Sequence, residues 1–194
     1  MKIITIARDY GAGGHSIGKL VAEKLGLEYY DKDIIRSTAK NSGFEESLIA
    51  EEEEVYSGAD SFIRSITPVY HDSKDEIFDI EKTVILELAK KGPCIFIGRS
   101  ADYILREAGY ETLDIYLHAD DIHRAMRVSE LIGSNDPSVI QKTIRKMDKY
   151  RKNYCLHYTG CHFGDSRNYD LSIDTGRLGY ELSAEIICKA ALEE

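Results

Sequence analysis

Basic charge is in short supply in this sequence of 194 residues: 25 lysines and arginines stand against 34 aspartates and glutamates, a net charge of −9. A protein that wraps duplex DNA or RNA carries a basic footprint, so a nucleic acid polymer is not an expected partner. Cysteine is scarce as well. Cys94, Cys155, Cys161 and Cys188 are too few and too scattered for a disulfide framework. No apolar run approaches the roughly 20 residues that cross a bilayer. The N-terminus opens on a strand-like segment, without the basic, apolar and small-residue order of a secretion leader. The expectation is a cytoplasmic protein with no membrane partner. Tryptophan is absent, and the 13 tyrosines read as ordinary core and surface use. The segment CLHYTGCH gathers Cys155, His157, Cys161 and His162, but without the paired C-x-x-C spacing of a zinc site. No Ser/His/Asp or Cys/His nucleophilic arrangement is discernible.

What is present suits a single globular domain: 43% of residues are hydrophobic and 30% charged. The charge is unevenly placed. EESLIAEEEE is acidic, and its Glu51–Glu54 run reads as a solvated helix face, whereas Arg124 to Arg151 is rich in arginine and lysine. An acidic shell with one basic cluster suits a small anionic ligand better than a polyanion.

Strand-like runs alternate with helical ones. Ile3–Ala7, LEYYD ending at Asp31, CIFIGR, LDIYLHA and YDLSID read as strands. Ser16–Leu25 reads as a helix with Ile17, Leu20, Val21 and Leu25 on one face. Glu81–Lys91 carries Val84, Ile85, Leu88 and Ala89 on one side, and Leu182–Leu192 forms the last helix. Near-continuous apolar strands between helices indicate an α/β fold with a parallel sheet covered on both faces. Two polar, helical excursions leave this pattern, one between Ile34 and Lys91, the other from Asp120 to Gly160 as two helices joined by IGSNDPS.

The stretch ITIARDYGAGGHSIGKL has the layout of strand, glycine loop and helix. Three phosphate-binding registers compete for it. Gly13, four residues and Gly18-Lys19-Leu20 nearly match a P-loop, but lack the hydroxyl after lysine and would put the loop inside the amphipathic helix. Gly11-x-Gly13-x-x-Ser16, with Asp31 twenty residues past Gly11, matches a dinucleotide fingerprint. There the first glycine should follow the strand at once, and Arg8-Asp9-Tyr10 intervene. In the third register Arg8 through Ser16 is the loop. Gly11, Ala12, Gly13 and Gly14 let successive backbone N–H groups turn toward one site at the positive end of the following helix. Ser16 then falls where a hydroxyl can ligate magnesium, and His15 is either a phosphate donor or simply exposed. A glycine-rich turn with no ligand remains the alternative.

Several motifs together carry a family likeness. GAGGHSIGKLVAEKLGLEYYDKDII, IFIGRSADYIL, IYLHADDIHRAMRV, DKYRKNYCLHYTG and YDLSIDTGRLG follow one another in an order and spacing that resemble the cytidylate kinase-like family over nearly the whole chain. The resemblance implies a P-loop kinase fold: a five-stranded parallel sheet flanked by helices, with a helical acceptor-binding insert (34–91) and a helical lid (120–160) on one domain (1–194). It implies ATP and Mg2+ as cofactors and nucleotides as substrates. Arg99 in GRS would hold the acceptor nucleotide, and Asp31 would sit at the mouth of the acceptor site. The lid arginines would be Arg124, Arg127, Arg145 and Arg151. Their spacing has its own logic. Arg124 and Arg127 are three apart and share a helix face, and the same spacing sets Asp148 between Arg145 and Arg151. There its carboxylate can steady both guanidiniums for phosphate contacts.

Two positions depart from true cytidylate kinases. Gly14 stands where the loop lysine belongs, and Ile97 stands where an acid helps to hold magnesium. Arg8, in place of the first loop glycine, is the expected substitute cation; Asp102, just past Arg99, is the candidate anchor. Asp9 would more naturally repel phosphate. The expected activity is transfer of the γ-phosphoryl of ATP to a nucleoside monophosphate, CMP or dCMP first. A nucleotide-binding sensor that has lost transfer chemistry is the alternative.

Overall fold

The computed structural model describes residues 2–41 and 69–193. Five strands form one parallel sheet: β1 (Ile3–Arg8), β2 (Glu28–Tyr30), β3 (Cys94–Ile97), β4 (Thr112–His118) and β5 (Leu171–Asp174), in the order β2-β3-β1-β4-β5. Around it lie α1 (Gly14–Leu25), α2 (Lys32–Asn41), α3 (Val69–Ala89), α4 (Ala101–Glu107), α5 (Asp121–Ile132), α6 (Pro137–Thr159) and α7 (Thr175–Leu192).

The isoleucine-rich strands explain the layering. Ile4 lies beside Ile95 and Leu113, and Ile6 beside Ile97 and Ile115. These side chains share one face and pack on Ile17 and Val21 of α1 and Ala184 and Ile187 of α7. Successive strand residues point to opposite faces, so Ile3 and Phe96 enter a second core with Ile35 of α2, Val84, Ile85 and Leu88 of α3, and Ile104 and Leu105 of α4. The helix that follows β1 thus lies on one face and the helix that follows β3 on the other. Neighbouring strands whose connections part in this way leave a crevice beyond their carboxyl ends.

A hairpin of α5 and α6 rises over that crevice, closed internally by Val128, Ile140 and Ile144, with Tyr10 packed against them. Its ends are set by local chemistry. The Asp120 and Asp136 carboxylates accept hydrogen bonds from the His123 and Ser138 amides, and Pro137 opens α6. Gly133 and Gly160 close the two helices in the left-handed region.

Two helices run longer than the sequence pattern indicates. α3 reaches back to Val69, because Ile77 continues the buried face of Val84 and Leu88. α7 starts at Thr175, where Asp174 accepts from the Gly176 and Arg177 amides, and bends at Gly179, whose φ is 74°. The Asp174 cap starts the helix ahead of both glycines. The expected insert of residues 34–91 lies partly outside the described residues, as does the Glu51–Glu54 run. No helix among the described residues is long and apolar enough to cross a membrane.

Candidate active site

β1 ends on Arg8, and the loop Asp9–Gly13 carries the chain into α1. Gly11 and Gly13 have φ values of 87° and 76°, which other residues rarely adopt. A side chain at Gly11 would also meet the Arg124 carbonyl of α5 at 2.8 Å, and one at Gly13 would overlap the Tyr180 ring.

Gly14 is glycine for a different reason. A Cβ there would lie 2.6 Å from Cγ and 3.2 Å from Cβ of Arg8, and the far end of the Arg8 side chain rests against Gly98 after β3. The arginine stem therefore crosses the space from which a lysine at position 14 would start. The guanidinium arrives between the glycine loop and the end of β3, where it has no hydrogen bond or ion pair among the described residues. Burial, and then the charge of Arg151, push its pKa well below the usual guanidinium value, with Arg99 adding to the shift and Asp31 opposing it. A cation held so unfavourably answers to an anion that is brought in. A methyl group at Gly14 cannot be absorbed by the tip of a flexible chain, because it meets the root of Arg8. Gly14→Ala should therefore turn Arg8 aside and weaken nucleoside triphosphate binding about tenfold or more, as loss of one charged hydrogen bond does; calorimetric titration with an unreactive ATP analogue checks this.

Ser16 lies in the first turn of α1, with its hydroxyl 3.3 Å from Nη2 of Arg127. His15 is turned away and pairs with Asp31 at 3.2 Å. Asp31 itself accepts from the Asp33 and Ile34 amides at 3.1 and 3.0 Å and so starts α2.

The hairpin is fastened to the loop backbone. Arg124 donates from Nε to the Tyr10 carbonyl at 2.8 Å and pairs with Asp148, whose other oxygen accepts from the Tyr10 amide at 2.9 Å. Arg151 donates to the Arg8 carbonyl at 2.8 Å and lies over the Tyr10 ring. Asp9 accepts from the Tyr116 hydroxyl at 2.7 Å and lies 3.8 Å from Arg124. Arg124, Arg127 and Arg151 thus converge on the loop. Arg145 does not: it is exposed on α6. Asp148 steadies Arg124 of the neighbouring helix instead of bridging Arg145 and Arg151, because the packing of α5 on α6 places that guanidinium closer than any partner on its own helix face.

On the other side of the crevice, Gly98, Arg99 and Ser100 all have positive φ, 79°, 61° and 52°. Two successive non-glycine residues in this region store strain of about 1–3 kcal/mol each. The turn aims Arg99 at α3 and α6. Its Nε donates to Glu81 at 2.8 Å, Nη2 pairs with the same carboxylate, and Nη1 donates to the Tyr150 hydroxyl at 3.1 Å. The guanidinium lies 4.3 Å from the centre of the Tyr154 ring, whose hydroxyl also donates to Glu81. Arg36 approaches Glu81 from α2 at 3.5 Å. Sequence reasoning missed Glu81, although its place three residues before Val84 puts an acid on the buried face of α3.

These groups surround a cavity of about 510 Å³. Arg8, Lys32, Arg99, Lys146 and Arg151 supply its positive charge, Tyr150 and Tyr154 line one wall, and Asp102, Phe163 and Tyr169 belong to its lining. Asp102 lies 3.6 Å from Arg106, and burial followed by the Asp114 charge raises its pKa. Ile97 is buried and would touch any side chain placed at Gly18, so the position at which the sequence comparison expects an acid is filled by core packing.

A parallel sheet in this order, a glycine loop between its first strand and helix, and an arginine-bearing hairpin fastened over that loop define a P-loop kinase fold. Among solved structures, the shikimate kinase of Acinetobacter baumannii with bound shikimate is 17% identical, with a TM-score of 0.57 over 99% of this chain and 93% of that one. An uncharacterized protein from Eubacterium ventriosum is 24% identical, with a TM-score of 0.77 over the whole of both chains. At these identities the likeness speaks for the fold. The family model described as the cytidylate kinase-like family matches residues 3–177, and the chain belongs to that family. It is 30% identical to the cytidylate kinase of Methanococcus vannielii over 97% of this chain and 98% of that one. It is also 27% identical to the cytidylate kinase of Archaeoglobus fulgidus over 96% and 93%.

Proposed function

We propose that the protein transfers the γ-phosphoryl group of ATP to the phosphate of a nucleoside monophosphate, with CMP or dCMP as first acceptors. The observation that carries this reading is the charge of the cavity beside the loop: five cationic side chains reach it, and the carboxylates nearest the loop are engaged. Asp9 is held by Tyr116, Asp31 by His15 and the start of α2, Asp148 by Arg124 and the Tyr10 amide, and Glu81 by Arg99. An alcohol acceptor needs a base to take its proton. A phosphate acceptor is already anionic and needs positioning and charge stabilisation only. The engagement of these carboxylates favours the second case.

In this reading the amides of Gly11 to Ser16 cradle the donor phosphates at the N-terminus of α1. Arg8 stands where the donor and acceptor phosphates meet, in the role of the absent lysine. Arg124, Arg127 and Arg151 cover the donor from the hairpin, and its closure excludes water. Arg99 and Asp31 shape the acceptor side, Asp102 its far lining. Magnesium takes few protein ligands and is held chiefly by substrate phosphates. The single hydroxyl of Ser16 fits that demand and is the group that would hold the ion. Magnesium, when bound, neutralises charge on the donor phosphates.

Initial rates in a coupled assay with ATP–magnesium and a panel of CMP, dCMP, UMP, AMP and GMP test the proposal. Turnover with CMP or dCMP that is lost in Ser16→Ala is the expected result. Nucleotide binding without turnover on any monophosphate would make the protein a binding module.

A further inference from the structure

Of the cations lining the cavity, Arg99 is tied to Glu81 and Arg151 to the Arg8 carbonyl. Arg8 and Lys32 differ: neither has a hydrogen bond or an ion pair among the described residues. They come from separate elements, the end of β1 and the start of α2, line the same cavity, and both feel the charge of Arg99. We infer that Lys32 is a ligand of the acceptor phosphate, and that its ammonium and the Arg8 guanidinium together take the dianionic phosphate of a phosphomonoester bound in this cavity. The inference deepens the reading above and rests on it.

Four charged groups act on Lys32. Arg36 and Asp33 belong to its own helix, Arg99 comes from the turn after β3, and Glu81 from α3. Glu81 is shared between Arg36 and Arg99, so little of its charge is left for the ammonium. Burial and then the two guanidiniums lower the Lys32 pKa to about 8, with Glu81 and Asp33 opposing. A structural lysine would be paired or would point its ammonium to solvent. Lys32 keeps its ammonium in a half-buried, net positive place with no acid of its own. An entering dianion removes that conflict and raises the ammonium pKa again. A neutral acceptor gains nothing from it.

The sign of the pH effect follows. The cationic form binds the dianion, so acceptor affinity is full below about pH 8 and falls as Lys32 loses its proton above that value. The lower limit is set by the acceptor, since a phosphomonoester becomes a dianion above its second pKa, near 6.

The test compares the parent with Lys32→Arg and Lys32→Met between pH 6.5 and 9.5. Two quantities are measured: kcat/KM for CMP at saturating ATP–magnesium, and calorimetric binding of CMP to the nucleotide-free protein. In the parent both should fall above about pH 8. In Lys32→Arg the fall should vanish from this range, because a guanidinium stays charged. In Lys32→Met, KM and Kd for CMP should rise about 10- to 100-fold, the range expected for a charge-assisted hydrogen bond, with kcat changed only a few-fold. Cytidine, which lacks the phosphate, should bind all three proteins alike. Circular dichroism confirms that the variants are folded. Lys32→Met binding CMP within twofold of the parent, or a high-pH fall that persists in Lys32→Arg, overturns the inference. Absence of turnover in the parent overturns phosphoryl transfer instead, and the calorimetric arm then still decides the role of Lys32.

Discussion

Arg8→Ala is expected to lower kcat by about 10²–10³-fold, the loss that follows removal of one preorganised charge from a transition state, while the fold stays intact. Two features make the effect large and separable from stability. The guanidinium sits between the loop and the end of β3, where the proposed transfer would take place, and position 14 adds no second cation there because Gly14 has no side chain. Its lowered pKa means that the folded, ligand-free protein works against this charge. Removing it should leave the melting temperature unchanged or raise it, a trade in which function rather than stability keeps an unfavourable residue. Initial rates with ATP–magnesium and CMP, set beside a thermal melt, show both halves. A loss of activity that follows a loss of fold would speak against the assignment.

Glu81→Ala carries the largest expected stability effect. Glu81 is 1% exposed and holds Arg99, Arg36 and the Tyr154 hydroxyl at once. Removing one partner of a buried ion pair costs about 3–5 kcal/mol, because the remaining charges stay buried without compensation. Two buried guanidiniums would lose this carboxylate here. Glu81→Gln keeps hydrogen-bond acceptance but loses the charge and should cost less. Urea denaturation followed by circular dichroism measures both. The same variants should weaken acceptor binding, since the Gly98-Arg99-Ser100 turn keeps its left-handed conformation with Arg99 anchored at its far end.

The backbone of the site was largely legible in the sequence, because local patterns carried it. The β-branched run of β1, the glycines at 11 and 13 and the amphipathic face of α1 state a strand, a loop and a helix without long-range help. The helix caps at Asp120 and Asp136 are equally local. Side-chain partners were less legible, since they join residues far apart in the chain. Asp148 reads as the neighbour of Arg145 and Arg151 when only one helix is considered. The packing of α5 on α6 gives it to Arg124, which is 24 residues away. Glu81 looks like the polar first turn of a helix that in fact began twelve residues earlier, at Val69. Its signal was an acid on the face of Val84, Ile85 and Leu88. Lys32 had no signal in the sequence, because only the fold sets Arg36 and Arg99 beside it. Arg8 and Gly14 were each readable as departures from the pattern of true cytidylate kinases. That they are one device, a stem from β1 crossing the place left by a missing side chain, shows only in the fold.

The central claim is that Arg8 does from the end of β1 what a lysine does from position 14. Moving the charge back tests it most directly. Turnover of CMP should be compared for the parent, Arg8→Gly, Gly14→Lys, and the double variant Arg8→Gly/Gly14→Lys. The account predicts that each single variant is impaired, the first by lost charge and the second by collision with the Arg8 stem, and that the double variant regains at least about tenfold over Arg8→Gly, one charge-assisted contact restored. A double variant no more active than Arg8→Gly, or an Arg8→Gly protein as active as the parent, would contradict it.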